Sequence, residues 1–306
     1  MLIATLPPVY REELLREIIS CDEVGGVRYN TGMVSPLDPE KTLAIVKWLT
    51  DNYEKKLWID LKGRQLRVTH WAVPDLANIT LNHEVEISGD AWVLFRDGEK
   101  CSVKFAHGNT IYLDPPPRQA VGAGQSINIL GKDVTIKGYL TDNDRAYIQA
   151  AKKLGIKSFM LSFVESNQDI KDVQAEFGLD PSQNTVPTLD LVLKIESPAG
   201  MKFIVETLGW TLGENTLMAA RDDLFATIGD DKSMILHYLK EIARQDPGAI
   251  VASRLFSGIE RDGTLALSDI TDIQLMKEFG YKNFMLSDGL CHRKFKEAIV
   301  AWKMIW

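Results

Sequence analysis

Residues Leu189 to Ser197 read Leu-Asp-Leu-Val-Leu-Lys-Ile-Glu-Ser, a short apolar run whose end carries alternating charged side chains. An almost continuous apolar run bounded by polar residues is typical of a strand that is buried on both faces of a sheet. Positions i and i+2 of a strand point to the same side, so Lys194 and Glu196 share one face. The stretch therefore predicts a parallel strand with reactive groups near its carboxyl end.

Runs of the same kind recur along the chain and alternate with amphipathic stretches. The predicted strands are Leu2–Thr5, Gly26–Tyr29, Leu57–Asp60, Ser158–Phe163, Leu189–Ile195, Leu217–Ala220, Ala249–Ala252 and Asn283–Leu286. The predicted helices are Pro39–Tyr53, Asp142–Leu154, Gln168–Phe177, Ala199–Leu208, Asp231–Arg244, Asp269–Phe279 and Cys291–Lys303. Eight strands that alternate with helices favour an α/β fold, a closed (β/α)8 TIM barrel, over an open doubly wound sheet.

One interval has no helical period. From residue 69 to residue 137, short alternating runs are separated by Gly, Asp and Pro, which predicts a small all-β insert after the third strand. We therefore expect a barrel formed by residues 1–68 and 138–306, interrupted by a β-rich lid domain at residues 69–137. The segment Gly122–Gln125 has the glycines of a phosphate loop but not the spacing, so a plain turn is predicted there.

Composition narrows the functional classes. The 306 residues include 35 Lys+Arg and 42 Asp+Glu, for a net charge of −7, and 45% are hydrophobic. These values exclude a disordered chain and argue against a nucleic-acid partner. Three widely separated cysteines, without a signal peptide or an apolar run near 18 residues, predict a cytoplasmic protein with no membrane partner. A small molecule is the expected substrate.

Polar side chains gather where the predicted strands end, which is where barrels place their active sites. These residues are Arg28, Asn30, Asp60, Lys62, Arg67, Ser162, Lys194, Glu196, Arg221, Asp222, Asp223, Ser253, Arg254, Ser287 and Asp288. Glu196 and Asp223 have the oxygen ligands that a hard cation such as Mg²⁺ prefers. Lys194 and Arg28 could neutralise a transferring phosphoryl group or an enolate. The alternative is a solvated salt bridge at the rim.

Several of these segments resemble motifs of the pyruvate kinase family. Leu-Lys-Ile-Glu-Ser from residue 193 is similar to K-I-E-N, and Met-Ala-Ala-Arg-Asp-Asp-Leu from residue 218 is similar to M-V-A-R-G-D-L. Further similarities, in the family's order, lie at Val27–Asn30, Trp58–Arg67, Leu140–Asp144, Ser162–Ser166 and Phe284–Ser287. The β insert also falls where that family carries its lid domain. The resemblance covers nearly the whole chain.

The resemblance implies Mg²⁺-dependent phosphoryl transfer between phosphoenolpyruvate and a nucleoside diphosphate, a glycolytic kinase reaction that yields pyruvate and ATP. It implies that Lys194 is the catalytic lysine and that Glu196 and Asp223 bind Mg²⁺ or Mn²⁺. Asn30 and Asp60 match ligands of a monovalent cation such as K⁺. The remaining candidates are Arg28 and Ser253 in catalysis and Arg67, Arg221, Asp222 and Lys62 in substrate or phosphate binding.

The chain also departs from the family's motifs. Asp222 stands in place of the glycine of R-G-D, and Arg254 stands in place of a glutamine. Gln65 replaces a glutamate associated with potassium dependence, the loop after Arg28 is shortened, and S-G-E-T reads Ser-Asp-Gly-Leu from residue 287. Because the sequence stops at Trp306, we expect no counterpart of the family's C-terminal domain. Trp302 and Trp306 are expected to pack on the barrel or to form a contact in a homo-oligomer.

These departures leave two alternatives to a kinase. The same metal site could serve aldol cleavage or decarboxylation of an oxo acid. A catalytically degenerate paralogue could instead act as a binding or regulatory protein. Retention of Lys194, Glu196 and Asp223 favours an enzyme.

Overall fold

The computed structural model describes residues 1–70, 78–95, 98–119, 121–179, 189–208 and 215–306. The strands in these ranges are β1 (Leu2–Thr5), β2 (Val24–Asn30), β3 (Lys56–Leu61), β4 (Asn78–Thr80), β5 (Val85–Leu94), β6 (Lys100–His107), β7 (Thr110–Leu113), β8 (Asn128–Ile136), β9 (Ser158–Leu161), β10 (Asp190–Ile195), β11 (Thr216–Ala220), β12 (Ile250–Ala252) and β13 (Asn283–Met285).

The helices follow most of the barrel strands. They are α1 (Glu12–Ser20), α2 (Pro39–Asn52), α3 (Asp142–Lys153), α4 (Asn167–Phe177), α5 (Pro198–Phe203), α6 (Arg221–Thr227), α7 (Met234–Gln245), α8 (Ser257–Asp262), α9 (Leu267–Glu278), α10 (Asp288–Arg293) and α11 (Phe295–Ile305). A π-helical turn at Ile204–Leu208 continues α5. Within the described ranges, no helix is both long enough and apolar enough to span a bilayer.

The chain forms two compact units. The first comprises Met1–Leu61 and Asp144–Trp306, and the second comprises Lys62–Asn143. In the first unit eight parallel strands close into a barrel in the order β1-β13-β12-β11-β10-β9-β3-β2. The predicted TIM barrel is therefore confirmed, and each predicted barrel strand coincides with an observed one.

Apolar side chains fill the interior of the barrel. They come from seven of the eight strands and are Ile3, Trp58, Met160, Val192, Met218, Ile250, Ala252 and Met285. The remaining strand, β2, has Gly26 opposite the indole of Trp58. A Cβ at Gly26 would lie 2.5 Å from Cζ3 of Trp58. The glycine thus provides the space into which the largest interior side chain packs.

The second unit is a five-stranded antiparallel sheet in the order β4-β7-β6-β5-β8, as the turn-rich interval predicted. Val93 and Ile111 are among the fully buried residues of its core. The predicted turn at Gly122–Gln125 is confirmed: the Gln125 N–H donates to the Gly122 carbonyl oxygen at 3.2 Å. The chain there forms an ordinary turn of the β-rich unit.

Some predicted boundaries were wrong. The strand expected over Ser158–Phe163 ends at Leu161, because Phe163 adopts a left-handed backbone with φ 51°. The helix expected over Cys291–Lys303 is interrupted at Lys294 and forms α10 and α11. The short helices α1, α6 and α8 had not been predicted. Of these three helices, α6 has seven residues and α8 has six, which is too few for a clear helical period.

Candidate active site

The ammonium group of Lys194 is buried at the carboxyl end of β10, among groups from three strands. Its Nζ lies 3.0 Å from Glu196 Oε1 and 3.5 Å from Asp60 Oδ1. The same nitrogen donates a hydrogen bond to the Ser162 hydroxyl at 2.7 Å. All four side chains are buried. Residues up to 136 positions apart in the sequence, from Asp60 to Glu196, therefore form one polar cluster.

The charge state of Lys194 follows from this cluster. Burial alone would lower the pKa of its ammonium group, but the nearby carboxylates of Asp60 and Glu196 raise it above the ordinary lysine value. Lys194 consequently remains protonated near neutral pH. It can stabilise developing negative charge, but it cannot accept a proton as a general base.

Arg28, on β2, occupies the other side of Asp60. Its Nε and Nη2 donate to Asp60 Oδ2 at 2.9 and 2.5 Å. Its Nη1 donates to the Thr5 hydroxyl at 3.0 Å and to Asp288 Oδ2 at 3.1 Å. Burial would lower the pKa of the guanidinium, yet the two carboxylates raise it further above its usual range. Asp60 therefore lies between two fixed cations, Arg28 and Lys194.

Glu196 and Asp223 form the pair of carboxylates that was predicted to hold a divalent metal. Burial raises the pKa of Glu196 to about 7, and the negative charge of Asp223 adds to that rise. Lys194 and the Phe163 N–H, which donates to Glu196 Oε2 at 2.7 Å, act in the opposite direction. The left-handed backbone of Phe163, noted above, accompanies this contact. The two carboxylates thus act on one another electrostatically at the barrel mouth.

This pair fits the donor set of a Mg²⁺ site. Mg²⁺ is commonly bound through one or two protein carboxylates, with water and substrate oxygens as its other ligands. Glu196 and Asp223 supply two such carboxylates. In the described ranges no group of three His, Cys, Asp or Glu side chains is placed to hold a metal ion. Two protein carboxylates leave the remaining positions of such an ion to water and substrate oxygens.

Asn30 and Asp60 suit a monovalent cation less well. The side-chain Oδ1 of Asn30 accepts a hydrogen bond from the Gly32 N–H at 3.0 Å, and its Nδ2 donates to Asp288 Oδ1 at 2.9 Å. The charge of Asp60 already faces two cations of the protein. The carboxylate that would offset the charge of a K⁺ ion is thus engaged, and these contacts do not fit a K⁺ site.

Arg221 lies at the start of α6 and holds the end of the neighbouring strand. Its buried guanidinium forms two hydrogen bonds with Asp272, at 2.6 and 2.9 Å. It also donates to the Ser253 carbonyl oxygen at 2.5 and 3.0 Å. Asp272 balances the charge of Arg221, and the hydrogen bonds from Arg221 stabilise the turn that follows β12. Its predicted role in substrate binding stays a prediction.

Asp222 and Arg254, the two departures at neighbouring strand ends, contact one another. Arg254 Nε donates a hydrogen bond to Asp222 Oδ1. Both side chains are exposed. The negative charge that Asp222 brings to the site is therefore met by a cation on the next strand end.

Lys62 and Arg67 belong to the β-rich unit, where Lys62 is buried. Arg67 donates to Gln65 Oε1 at 3.1 and 2.7 Å and to the Gly124 carbonyl oxygen at 2.7 Å. Gln65, which departs from the family motif, thus orients Arg67. The phosphate-binding role of Lys62 and Arg67 stays a prediction.

The sequence did not predict two residues that contact the site arginines, and it did not predict the contacts of a third. Asp272 lies inside α9, where no local pattern distinguishes it from a surface residue, and Thr5 lies on β1. Asp288 had been noted as a polar strand end, and it proves to bond both Arg28 and Asn30. Its position after the capping residue Ser287 was the available signal.

Two curated pyruvate kinases are similar to the chain in sequence. No protein-family model matches the chain. The pyruvate kinase of Thermoplasma acidophilum is 26% identical over 296 residues, which covers 89% of this chain and 51% of that protein. The pyruvate kinase of Corynebacterium efficiens is 24% identical over 168 residues, which covers 54% of this chain and 34% of that protein. The chain thus spans about half the length, or less, of these curated relatives.

A solved structure shows the same fold. The crystal structure of pyruvate kinase from Pyrobaculum aerophilum superposes with a TM-score of 0.72 at 19% identity. The match covers 98% of this chain and 71% of that one, so it includes both the barrel and the β-rich unit. Together with the closed parallel barrel, these comparisons show that the chain is similar to pyruvate kinases in sequence and in fold.

Proposed function

We propose that the protein catalyses Mg²⁺-dependent phosphoryl transfer between phosphoenolpyruvate and a nucleoside diphosphate. The observation that carries the proposal is the buried Lys194 ammonium group, fixed by Asp60, Glu196 and Ser162 at the mouth of the barrel. The curated relatives named as pyruvate kinases support it. Because the chain spans about half of them, their activity is a proposal for this protein.

Lys194 performs the electrostatic part of this reaction. Negative charge develops on the enolate oxygen and on the transferring phosphoryl group, and a fixed cation in a site shielded from water stabilises both. Asp60 and Ser162 hold the ammonium group in place, so little reorganisation is needed during the reaction. Arg28, held by Asp60 and Asp288, supplies a second fixed cation for the phosphoryl oxygens.

Glu196 and Asp223 would hold Mg²⁺, which when bound neutralises charge on the substrate oxygens. The charged side chains described at the mouth are the basic Arg28, Lys194, Arg221 and Arg254 and the acidic Asp60, Glu196, Asp222, Asp223, Asp272 and Asp288. The carboxylates among them and an anionic substrate would repel one another, and a bound cation would offset that repulsion. In the same proposal, Lys62 and Arg67 bind phosphate oxygens.

The test is a coupled assay with phosphoenolpyruvate, ADP and Mg²⁺, with and without K⁺. We expect formation of pyruvate and ATP that depends on Mg²⁺. A chelator should abolish the reaction, and Mg²⁺ with oxalate should raise the Tm of the protein. Absence of turnover would remove the proposal, and the added absence of a Mg²⁺-dependent thermal shift by oxalate or pyruvate would remove metal-assisted binding of either ligand as well.

A second candidate is nucleotide-independent enolate chemistry on an oxo acid. The Asp222–Arg254 pair favours it, because the pair alters the substrate pocket and leaves Lys194, Glu196 and Asp223 in place. Release of pyruvate from a 4-hydroxy-2-oxo acid or from an oxo-dicarboxylate, with Mg²⁺ and no nucleotide, would support this candidate. Failure across such a panel would leave the kinase reaction or a binding role without turnover.

A further inference from the structure

The turn after β12 has an unusual backbone. Ser253, Arg254 and Phe256 all have positive φ angles, of 69°, 60° and 55°. This conformation is unfavourable for a residue other than glycine, and it is tolerated where surrounding contacts fix it. Residues of this kind concentrate at binding and catalytic sites. The turn is therefore a place to look for a side chain that function requires in one position.

Buried contacts fix this turn from the barrel side. Arg221 donates to the carbonyl oxygens of Ala252 and Ser253, while Asp272 holds the same guanidinium with both carboxylate oxygens. The backbone on the amino-terminal side of Arg254 is thus tied to a buried ion pair. The side chain of Arg254 itself is 73% exposed.

Asp222 orients the guanidinium of Arg254 by accepting a hydrogen bond from its Nε. Ala220 and Ala252 are paired in register on β11 and β12, so Asp222 and Arg254 each lie two residues beyond that pair. The carboxylate accepts from Nε, and the two terminal nitrogens of Arg254 donate to none of the residues that the structure describes. A guanidinium oriented in this way presents a planar pair of N–H groups, the geometry that matches a carboxylate.

The pair belongs to the same mouth as the catalytic cluster. Asp222 is followed directly by Asp223, whose charge acts on both Glu196 and Lys194. Where the resembling motifs have glycine and glutamine, this chain has Asp222 and Arg254. Arg254 thus brings to this strand end a guanidinium that can bind a carboxylate.

We propose that Arg254 binds the carboxylate of the substrate and that Asp222 is its positioning residue. The inference rests on the proposed function, because the carboxylate that Arg254 would bind is that of a 2-oxo acid or its enol phosphate. It also assigns recognition of this carboxylate to a side chain, the guanidinium of Arg254.

The experiment compares R254Q, R254K and D222N with the wild-type protein. R261Q is the matched control, because Arg261 is 72% exposed and also pairs with an aspartate, Asp262. Binding of oxalate and of pyruvate is measured calorimetrically in the presence of Mg²⁺, and KM and kcat are measured with phosphoenolpyruvate. R254Q should weaken oxalate binding roughly 10- to 100-fold and raise KM more than it lowers kcat. R254K should be impaired as well, because lysine lacks the planar fork, whereas R261Q should bind as the wild type does.

D222N separates positioning from direct contact. It should weaken oxalate binding less than R254Q does, and it should have little further effect in the D222N/R254Q double variant. If the pair were purely structural, both single variants would lower the Tm and leave the oxalate Kd within about twofold of the wild type. That result would overturn the inference.

The outcomes also separate this inference from the proposed function. If the wild type turns over phosphoenolpyruvate and R254Q binds oxalate normally, the inference fails while the function stands. If the wild type shows no turnover and R254Q still loses oxalate binding, the function fails while the inference stands. A wild-type protein that binds neither oxalate nor pyruvate with Mg²⁺ overturns the inference.

Discussion

At the scale of single residues, Lys194 is the group on which the proposed chemistry depends most. Replacing it with methionine removes the cation and leaves Asp60 and Glu196 without the ammonium between them. We expect K194M to lower kcat for phosphoenolpyruvate roughly 10²- to 10³-fold, the usual cost of losing a fixed donor in a transition state. The coupled assay measures this effect. K194R, which keeps the charge, should retain more activity than K194M.

Loss of a buried charge can also unfold the protein, so the Tm of each Lys194 variant is measured beside its rate. Breaking a buried ion pair costs about 3 to 5 kcal/mol of unfolding free energy. If K194M is folded and turns over phosphoenolpyruvate at the wild-type rate, Lys194 does not stabilise the reaction. If K194M does not fold, the comparison of K194R with the wild type still tests the role of the position.

His292 predicts how stability depends on pH. Its Nε2 contacts the Leu6 carbonyl oxygen at 3.0 Å, and burial lowers the pKa of its imidazole. The unfolded chain therefore binds a proton near pH 6.5 that the folded chain binds only at lower pH. Because the unfolded state binds more protons in that window, the free energy of unfolding rises as the pH rises from about 5 to 7.

Urea unfolding of the wild type and of H292N at pH 5, 6 and 7 measures this contribution. H292N should show a smaller rise in the free energy of unfolding over that range. H107N is the control, since His107 is an exposed residue of β6. If H292N keeps the full pH dependence, His292 does not account for it.

At the scale of elements, the packing of β2 against β3 depends on Gly26. A Cβ there would lie 2.5 Å from Trp58 Cζ3 and 3.3 Å from the Lys56 carbonyl oxygen. G26A should therefore lower the free energy of unfolding by about 1 to 3 kcal/mol through overpacking. Chemical denaturation measures the change. G25A is the matched control on the same strand, where the added Cβ would meet the flexible Met1 side chain at 2.7 Å.

The two outcomes for this strand are distinct. A smaller cost for G25A than for G26A would agree with a rigid indole and a movable methionine. Equal costs would show that the loss comes from backbone effects of replacing glycine, and that Trp58 does not need the space beside Gly26.

The elements could be predicted to different degrees. Barrel strands such as Asp190–Ile195 could be placed within about two residues, because burial on both faces leaves a nearly unbroken apolar run. The strand Asn128–Ile136 had no such run, since glycine and charged residues lie at its centre. The break at Lys294 was not visible either, because the apolar pattern of a helix continues on both sides of it.

At the scale of the whole molecule, the division into a barrel and a β-rich domain stays a prediction that selective destabilisation can test. Val93 is fully buried in the core of the β-rich unit, and Val192 is buried in the barrel interior. Each Val-to-Ala replacement should lower the free energy of unfolding of its own unit by roughly 1 to 3 kcal/mol. In V93A, amide hydrogen exchange should accelerate in peptides from Lys62–Asn143 and remain slow in barrel peptides.

V192A provides the reciprocal measurement, with faster exchange expected in the barrel. If V93A accelerates exchange equally throughout the chain, the two units unfold as one and the predicted domains are not independent. Separate responses would agree with two cores that are each stabilised by their own contacts.

The sequence by itself determined the barrel and the shared face of Lys194 and Glu196, because strand burial and the two-residue period are local properties. Only the tertiary structure decided which charges meet. Arg28 contacts Asp288 across 260 positions, Arg221 contacts Asp272 across 51, and Arg254 contacts Asp222 across 32. Electrostatic attraction depends on distance in space and on burial, and neither can be read from a list of charged residues. The closure of the barrel sets both.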